Sequence, residues 1–343
     1  MVRVEELFPS DSAKATSSLH SRSKRIEWVD CAKGLCTFFV ILMHLDKPKI
    51  YSQICVPIFL CTFFFISGYL FESTHQNFKS TKRLLKYFIL YGLAKTLVEY
   101  LVLSRPLTVN PFIGMVLQIP TSPSHPEAIL WFLPCTIISK LIFGFIYKIS
   151  HGKETKVAIL SVVTAMAGAF YIFKIGKCLP WHIQTALFVQ IYMLLGFLLR
   201  RYETLVCNYE TFLLSLLCLI YFYMVLYWPM DADLCTLYFT NFPVYCVQTI
   251  VGTCFFILFV RKVVSSLTVF CNIGRNSLFF YSFESVARII VEIWVFPLVL
   301  TEPTSLYVAS ILSAVFCCCL LGCSCAFFKS SVKGILKFIY IGE

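Results

Sequence analysis

Two residues in the first hydrophobic stretch of the chain, Lys33 and His44, have the type and spacing to do chemistry. They bracket the segment AKGLCTFFVILMH. Eleven steps of about 100° bring them back to within about 20° of the same helical face, about 16 Å apart along the axis. Neutral imidazole is the side chain best matched to taking a proton from a hydroxyl near pH 7. Asp30, three residues before Lys33, is placed to pair with it and lower the cost of its charge. Helix geometry does not say which alcohol would lose the proton, and a structural role for a solitary membrane histidine stands beside the catalytic one.

Other ionisable residues lie at membrane depth, where each costs at least a few kcal/mol and is a candidate for function or for pairing. Lys95 and Glu99 are four apart and read as a structural pair, and Lys140 is near enough to a helix end to snorkel. Glu284, Arg288 and Glu292 repeat at spacing four, a polar stripe equally suited to lining a site or to pairing within itself.

The elements that position these groups are membrane helices. Of 343 residues 59% are hydrophobic and 14% charged, and the mean hydropathy is +0.80, outside the range of soluble domains. Scanning for apolar runs of roughly 20 residues gives about ten spans, near 26–46, 53–71, 84–103, 128–147, 157–173, 183–200, 211–229, 240–260, 277–298 and 305–328. The runs lack the alternation of barrel strands, so the expected class is an all-α polytopic bundle. A piece from Asn110 to Ile119 between two prolines is too short to cross and is expected at the interface.

The organisation expected is a polar basic tail at 1–25, a membrane domain at 26–328 and a basic tail at 329–343, with no cleavable leader pattern ahead of the first span. With both termini in the cytoplasm, 20 of the 29 Lys and Arg residues fall on the inner side and 5 on the outer. That bias follows the positive-inside rule and absorbs most of the +11 net charge without a nucleic acid. The 17 cysteines are mostly within spans and read as small hydrophobes. No CxxC pair, clustered Cys/His ligand spacing or nucleotide-binding glycine loop is present, so no metal site is expected.

Five stretches, taken in order, resemble the acyltransferase-3 type of integral membrane acyltransferase, in the branch similar to fucose 4-O-acetylases and polysaccharide O-acetyltransferases. They are RIEWVDCAKGLCTFFVILMH (Arg25 to His44), VPIFLCTFFFISGYLF (Val56 to Phe71), STKRLLKYF (Ser80 to Phe88), LWFLP (Leu130 to Pro134) and IGRNSLFFY (Ile273 to Tyr281). The resemblance implies acetyl-CoA as a cytoplasmic donor, a glycan hydroxyl, possibly lipid-linked, as acceptor, and a place in a bacterial cytoplasmic membrane. It carries catalytic roles onto His44, Lys33 and Asp30. A coenzyme with several phosphates calls for cations, so Lys82, Arg83 and Lys86 are the expected donor-binding cluster, although the positive-inside rule alone explains them about as well. Lys33 stands where many relatives have Arg, and Glu284 where the branch often has His. Acceptor-selecting residues are expected in the outer loops Pro106 to Glu127 and Trp228 to Asn241. A secondary transporter using the same intramembrane Lys, His and Glu residues is the alternative.

Overall fold

The structure, a computed structural model, describes residues 26–103, 130–294 and 306–341. The helices, in chain order, are α1 (Glu27–His44), α2 (Lys49–Tyr69), α3 (Thr74–Leu103), α4 (Phe132–Ile149), α5 (Glu154–Lys174), α6 (Ile183–Phe188), α7 (Gln190–Arg201), α8 (Glu203–Tyr227), α9 (Phe242–Phe259), α10 (Thr268–Arg275), α11 (Ser277–Trp294) and α12 (Leu306–Ile341). A two-stranded antiparallel hairpin, β1 (Ala232–Asp233) with β2 (Tyr238–Phe239), pairs Ala232 with Phe239. The class is all-α, as composition and periodicity require.

Among the described residues each of the ten expected segments is mainly helical. Six of these helices (α2, α4, α5, α8, α9 and α12) are long and apolar enough to cross a membrane by themselves. A bent pair, Pro180–Phe188 with Gln190–Arg201, makes a seventh candidate if its two pieces, 52° apart, count as one span. The other three, α1, α3 and α11, carry at least three charged residues in any stretch of spanning length. A five-residue π turn, Val260–Val264, leads from α9 towards α10. α12 runs on past the expected boundary at 328 as one helix to Ile341. The tail 1–25, the 110–119 piece, the 106–127 loop and the side chains of Lys95 and Glu99 lie outside the described residues.

Close backbone contacts set the position of α1 and explain two of the motifs. A Cβ added at Gly34 would stand 1.9 Å from the carbonyl oxygen of Phe270, and one at Gly274 would stand 1.8 Å from that of Asp30. Glycine at both crossings lets α10 lie directly on α1. The same device joins α2 to α7, where a Cβ added at Gly68 would stand 1.9 Å from the Met193 carbonyl oxygen and one at Gly196 1.9 Å from that of Phe65. The outer shell is apolar: α8 buries 17% of its apolar window, while α2, α4 and α9 bury 50% of theirs. Exposed side chains such as Phe212, Leu219 and Leu226 along α8 make a face suited to lipid.

Candidate active site

The two ends of α1 open onto two cavities. At its N-terminal end a cavity of about 1050 Å³ is bounded by α1, α2, α3, α7, α10, α11 and α12. Five cations line it, Lys33, Arg83, Arg200, Arg275 and Lys329, against two carboxylates, Asp30 and Glu72. Asp30 pairs with Arg275 of α10, whose Nε lies 3.4 Å from Oδ2. That partner comes from IGRNSLFFY, 245 residues away in sequence. Arg200 donates to the Tyr69 hydroxyl at 3.1 Å and lies 5.2 Å from its ring centroid, and Lys329 donates to Asn276 Oδ1.

Of the expected donor-binding cluster, Arg83 lines this cavity and Lys82 and Lys86 do not. The reason is helical phase: Arg83, Tyr87 and Tyr91 repeat at spacing four and face inward, which turns positions 82 and 86 away. Tyr87 and Tyr91 stack with centroids 5.7 Å apart. Lys82 instead lies over the Phe78 ring at 4.7 Å, and Lys86 is exposed. Arg200, Arg275 and Lys329 were not expected as lining residues. Arg275 was in view inside a motif, whereas Arg200 and Lys329 read only as topology signals.

Behind the cavity, the motif residues Trp28 and Tyr69 meet edge to face at 4.9 Å. Arg261, from the π turn, lies 5.5 Å from the Trp28 ring and pairs with Glu203 at 3.2 Å and Glu210 at 3.5 Å. Its side chain is 9% exposed, so this ion cluster is a fixed inner wall. Lys140 is half-buried on α4, close enough to Lys33 for the two charges to repel.

At the other end of α1, His44 Nδ1 stands 3.2 Å from Glu284 Oε2. Glu284 is 2% exposed, and its other oxygen faces Arg288 Nε at 3.6 Å. Arg288 continues to Glu292 at 3.2 Å. The stripe on α11 therefore both pairs within itself and supplies the partner of His44, which spacing alone left undecided. A carboxylate at Nδ1 favours the tautomer with the proton there, leaving Nε2 as the basic nitrogen.

The His44 side chain is 45% exposed and opens onto a second cavity, of about 340 Å³. Lys47, Ser52, Asp231, Asp233 and Tyr238 lie around it. Three of these come from the Trp228 to Asn241 loop, which folds as the hairpin. Asp231 is held by Lys49 at 2.9 Å, while Asp233 accepts from the Cys235 backbone N–H at 2.9 Å and the Thr236 hydroxyl at 2.7 Å. Lys47 donates to the carbonyls of Met43 and Leu45. Among the described residues no cluster of His, Cys, Asp and Glu has the make-up to hold a metal ion.

The arrangement therefore provides a cation-rich chamber at one end of a helix and, at the other, an imidazole with one nitrogen engaged by a carboxylate and a small polar cavity in front of it. A family model described as an acyltransferase domain matches residues 26–323, from the start of α1 into α12. Neither the curated proteins nor the solved structures hold a match to the chain.

Proposed function

The chain belongs to the acyltransferase-3 family and is a membrane acyltransferase; from that premise we propose that it moves acetyl from cytoplasmic acetyl-CoA to a hydroxyl of a cell-surface or lipid-linked glycan. The observation that carries this reading is the His44–Glu284 contact at 3.2 Å, at the far end of the helix that begins in the cation-rich cavity. The N-terminal end of α1 is taken as cytoplasmic and the His44 end as outer, following the distribution of Lys and Arg.

Donor phosphates belong with Arg83, Arg200, Arg275 and Lys329, because phosphate oxygens are matched by charge-assisted hydrogen bonds from such cations. Lys33 stands about 16 Å along the axis from His44. Its role on this reading is to orient the donor, since a lysine side chain does not bridge that gap to a thioester at His44. The acceptor hydroxyl enters from the smaller cavity and meets Nε2 of His44.

His44 takes the hydroxyl proton as the oxygen attacks the thioester carbonyl carbon. The tetrahedral intermediate then expels the coenzyme thiolate, the C–S bond breaks, and the proton on His44 passes to the leaving sulfur. Glu284 holds the ring and stabilises the imidazolium formed between the two steps. Direct transfer is favoured over an acetyl-histidine intermediate because one base with a free nitrogen beside an acceptor cavity suffices. The family assignment favours transfer over transport of an unmodified solute.

The test uses membranes containing the full chain and acetyl-CoA labelled in the acetyl group, with recovery of label in glycan. Label in glycan that is lost in His44→Ala supports the reading. Coenzyme release with no labelled glycan, or undiminished transfer by His44→Ala, overturns it.

A further inference from the structure

Fifteen of the seventeen cysteines sit in helices, and two, Cys178 and Cys235, sit in loops. These two are 57 residues apart in sequence, yet Cys178 Sγ lies 3.5 Å from the carbonyl oxygen of Cys235. Cys178 follows the C-terminal end of α5, and Cys235 lies at the turn of the hairpin. Both are at the His44 end of the molecule, since Asp233 and Leu234 wall the His44 cavity. Neither is bonded to another cysteine, and both are half-buried.

We propose that Cys178 and Cys235 are a disulfide-forming pair that ties the loop after α5 to the hairpin in front of His44. A hairpin of two two-residue strands is marginal by itself. Its strands and turn carry Asp233, Leu234 and Tyr238 into the cavity wall. A cross-link there would hold the wall in place by removing freedom from a long intervening loop.

The proposal takes its oxidising surroundings from the outward orientation of the His44 end given above; the contact of the Cys178 sulfur with the Cys235 backbone does not depend on it. The chemistry is thiol–disulfide exchange with a disulfide oxidant. The Cys178 sulfur, losing its proton, attacks one sulfur of the oxidant and displaces a thiol. The Cys235 sulfur, losing its proton, then displaces the second thiol. Two protons and two electrons leave the cysteines, and the oxidant ends as two thiols. Burial and then the neighbouring Asp233 push the Cys178 thiol up, and burial, Asp233 and Cys178 together push Cys235 up. Both sulfurs are therefore poor leaving groups, so attack by small thiols on the formed link is slow.

The test is peptide mapping of the full-length protein, with free thiols trapped by N-ethylmaleimide at harvest and no reductant in the digest. The expected result is a peptide pair joined through 178 and 235 that separates on reduction. Purified, reduced protein treated with oxidised glutathione should form the same link, while Cys207, which is exposed on α8, should join to neither. Cys178→Ser should leave Cys235 fully alkylated. Alkylation of both thiols at harvest overturns the proposal. If the purified protein nevertheless links, the failure lies in the redox side assigned to this end; if it does not, the failure lies in the pair itself.

Discussion

α1 and α8 make opposite uses of a hydrophobic sequence. α8 passes the test for a membrane span, yet of its 25 residues Tyr221, Met224 and Val225 are the ones that are buried. α1 carries Glu27, Asp30 and Lys33 and fails that test, yet ten of its 18 residues are buried, Asp30 among them. In lipid the apolar helix has no reason to move inward, whereas a charged helix does, because partners and water-lined cavities exist only inside the bundle. The three helices too charged to count as clean spans, α1, α3 and α11, bring Asp30, Lys33 and Arg83 to the larger cavity and Glu284 to His44. On the proposed reading, departure from a clean hydrophobic span marks proximity to the chemistry.

The comparison predicts that small changes on α1 and α11 stop the reaction while larger ones on α8 do not. His44→Ala should lower acetyl transfer by at least about 100-fold at unchanged insertion, the usual scale of positioned general-base catalysis. Glu284→Gln should also lower transfer, because it keeps the shape and loses the charge that favours the productive tautomer. Leu219→Ala on α8 should transfer at the wild-type rate. Transfer normalised to inserted protein decides all three.

Stability should divide the same way. Gly274→Ala places a methyl group against the Asp30 carbonyl and forces α10 off α1, at a cost of about 1–3 kcal/mol. Leu219, 72% exposed, should tolerate Ala within about 0.5 kcal/mol. Thermal unfolding in one detergent, read for both variants beside the wild type, sets the two costs side by side.

A finer contrast lies within α3. Arg83→Gln should raise the apparent KM for acetyl-CoA by about 5-fold, equivalent to ~1 kcal/mol, and the effect should shrink as salt rises. Lys86→Gln, three residues on and exposed away from the cavity, should leave that constant unchanged. Equal effects from both would return the pair to a topology signal. The smallest perturbation is a label: single reporters in the loop holding Lys153 and in the hairpin holding Asp231 should react from opposite sides of the membrane.

The helices and the one-face alignment of Lys33 with His44 were legible because hydrophobic length and helical phase are local properties. The broken pair α6–α7 was less so, since its apolar run reads straight through the 52° bend. Contacts between distant segments were not legible. Nothing near His44 in sequence identifies Glu284 as its partner, and the stripe at spacing four on α11 satisfies an internal pairing equally well. Asp30 shows the same limit: nothing beside it in sequence points to Arg275, which reaches it because Gly274 lets α10 lie against α1. The hairpin, with strands of two residues, is too short to leave a periodic signal.

α1 is unbroken from Glu27 to His44, and its contacts with α10 leave little room for it to slide. On the proposed reading it works as a gauge of fixed length between the chamber assigned to the donor's phosphates and the base assigned to the acceptor. On the proposed reading, selection among donors falls to reach: the arm between phosphate and thioester has to match the rod. A truncated acetyl thioester without the nucleotide, although chemically as reactive, should be a poor donor at any concentration, because nothing holds its carbonyl at the far end of the scale.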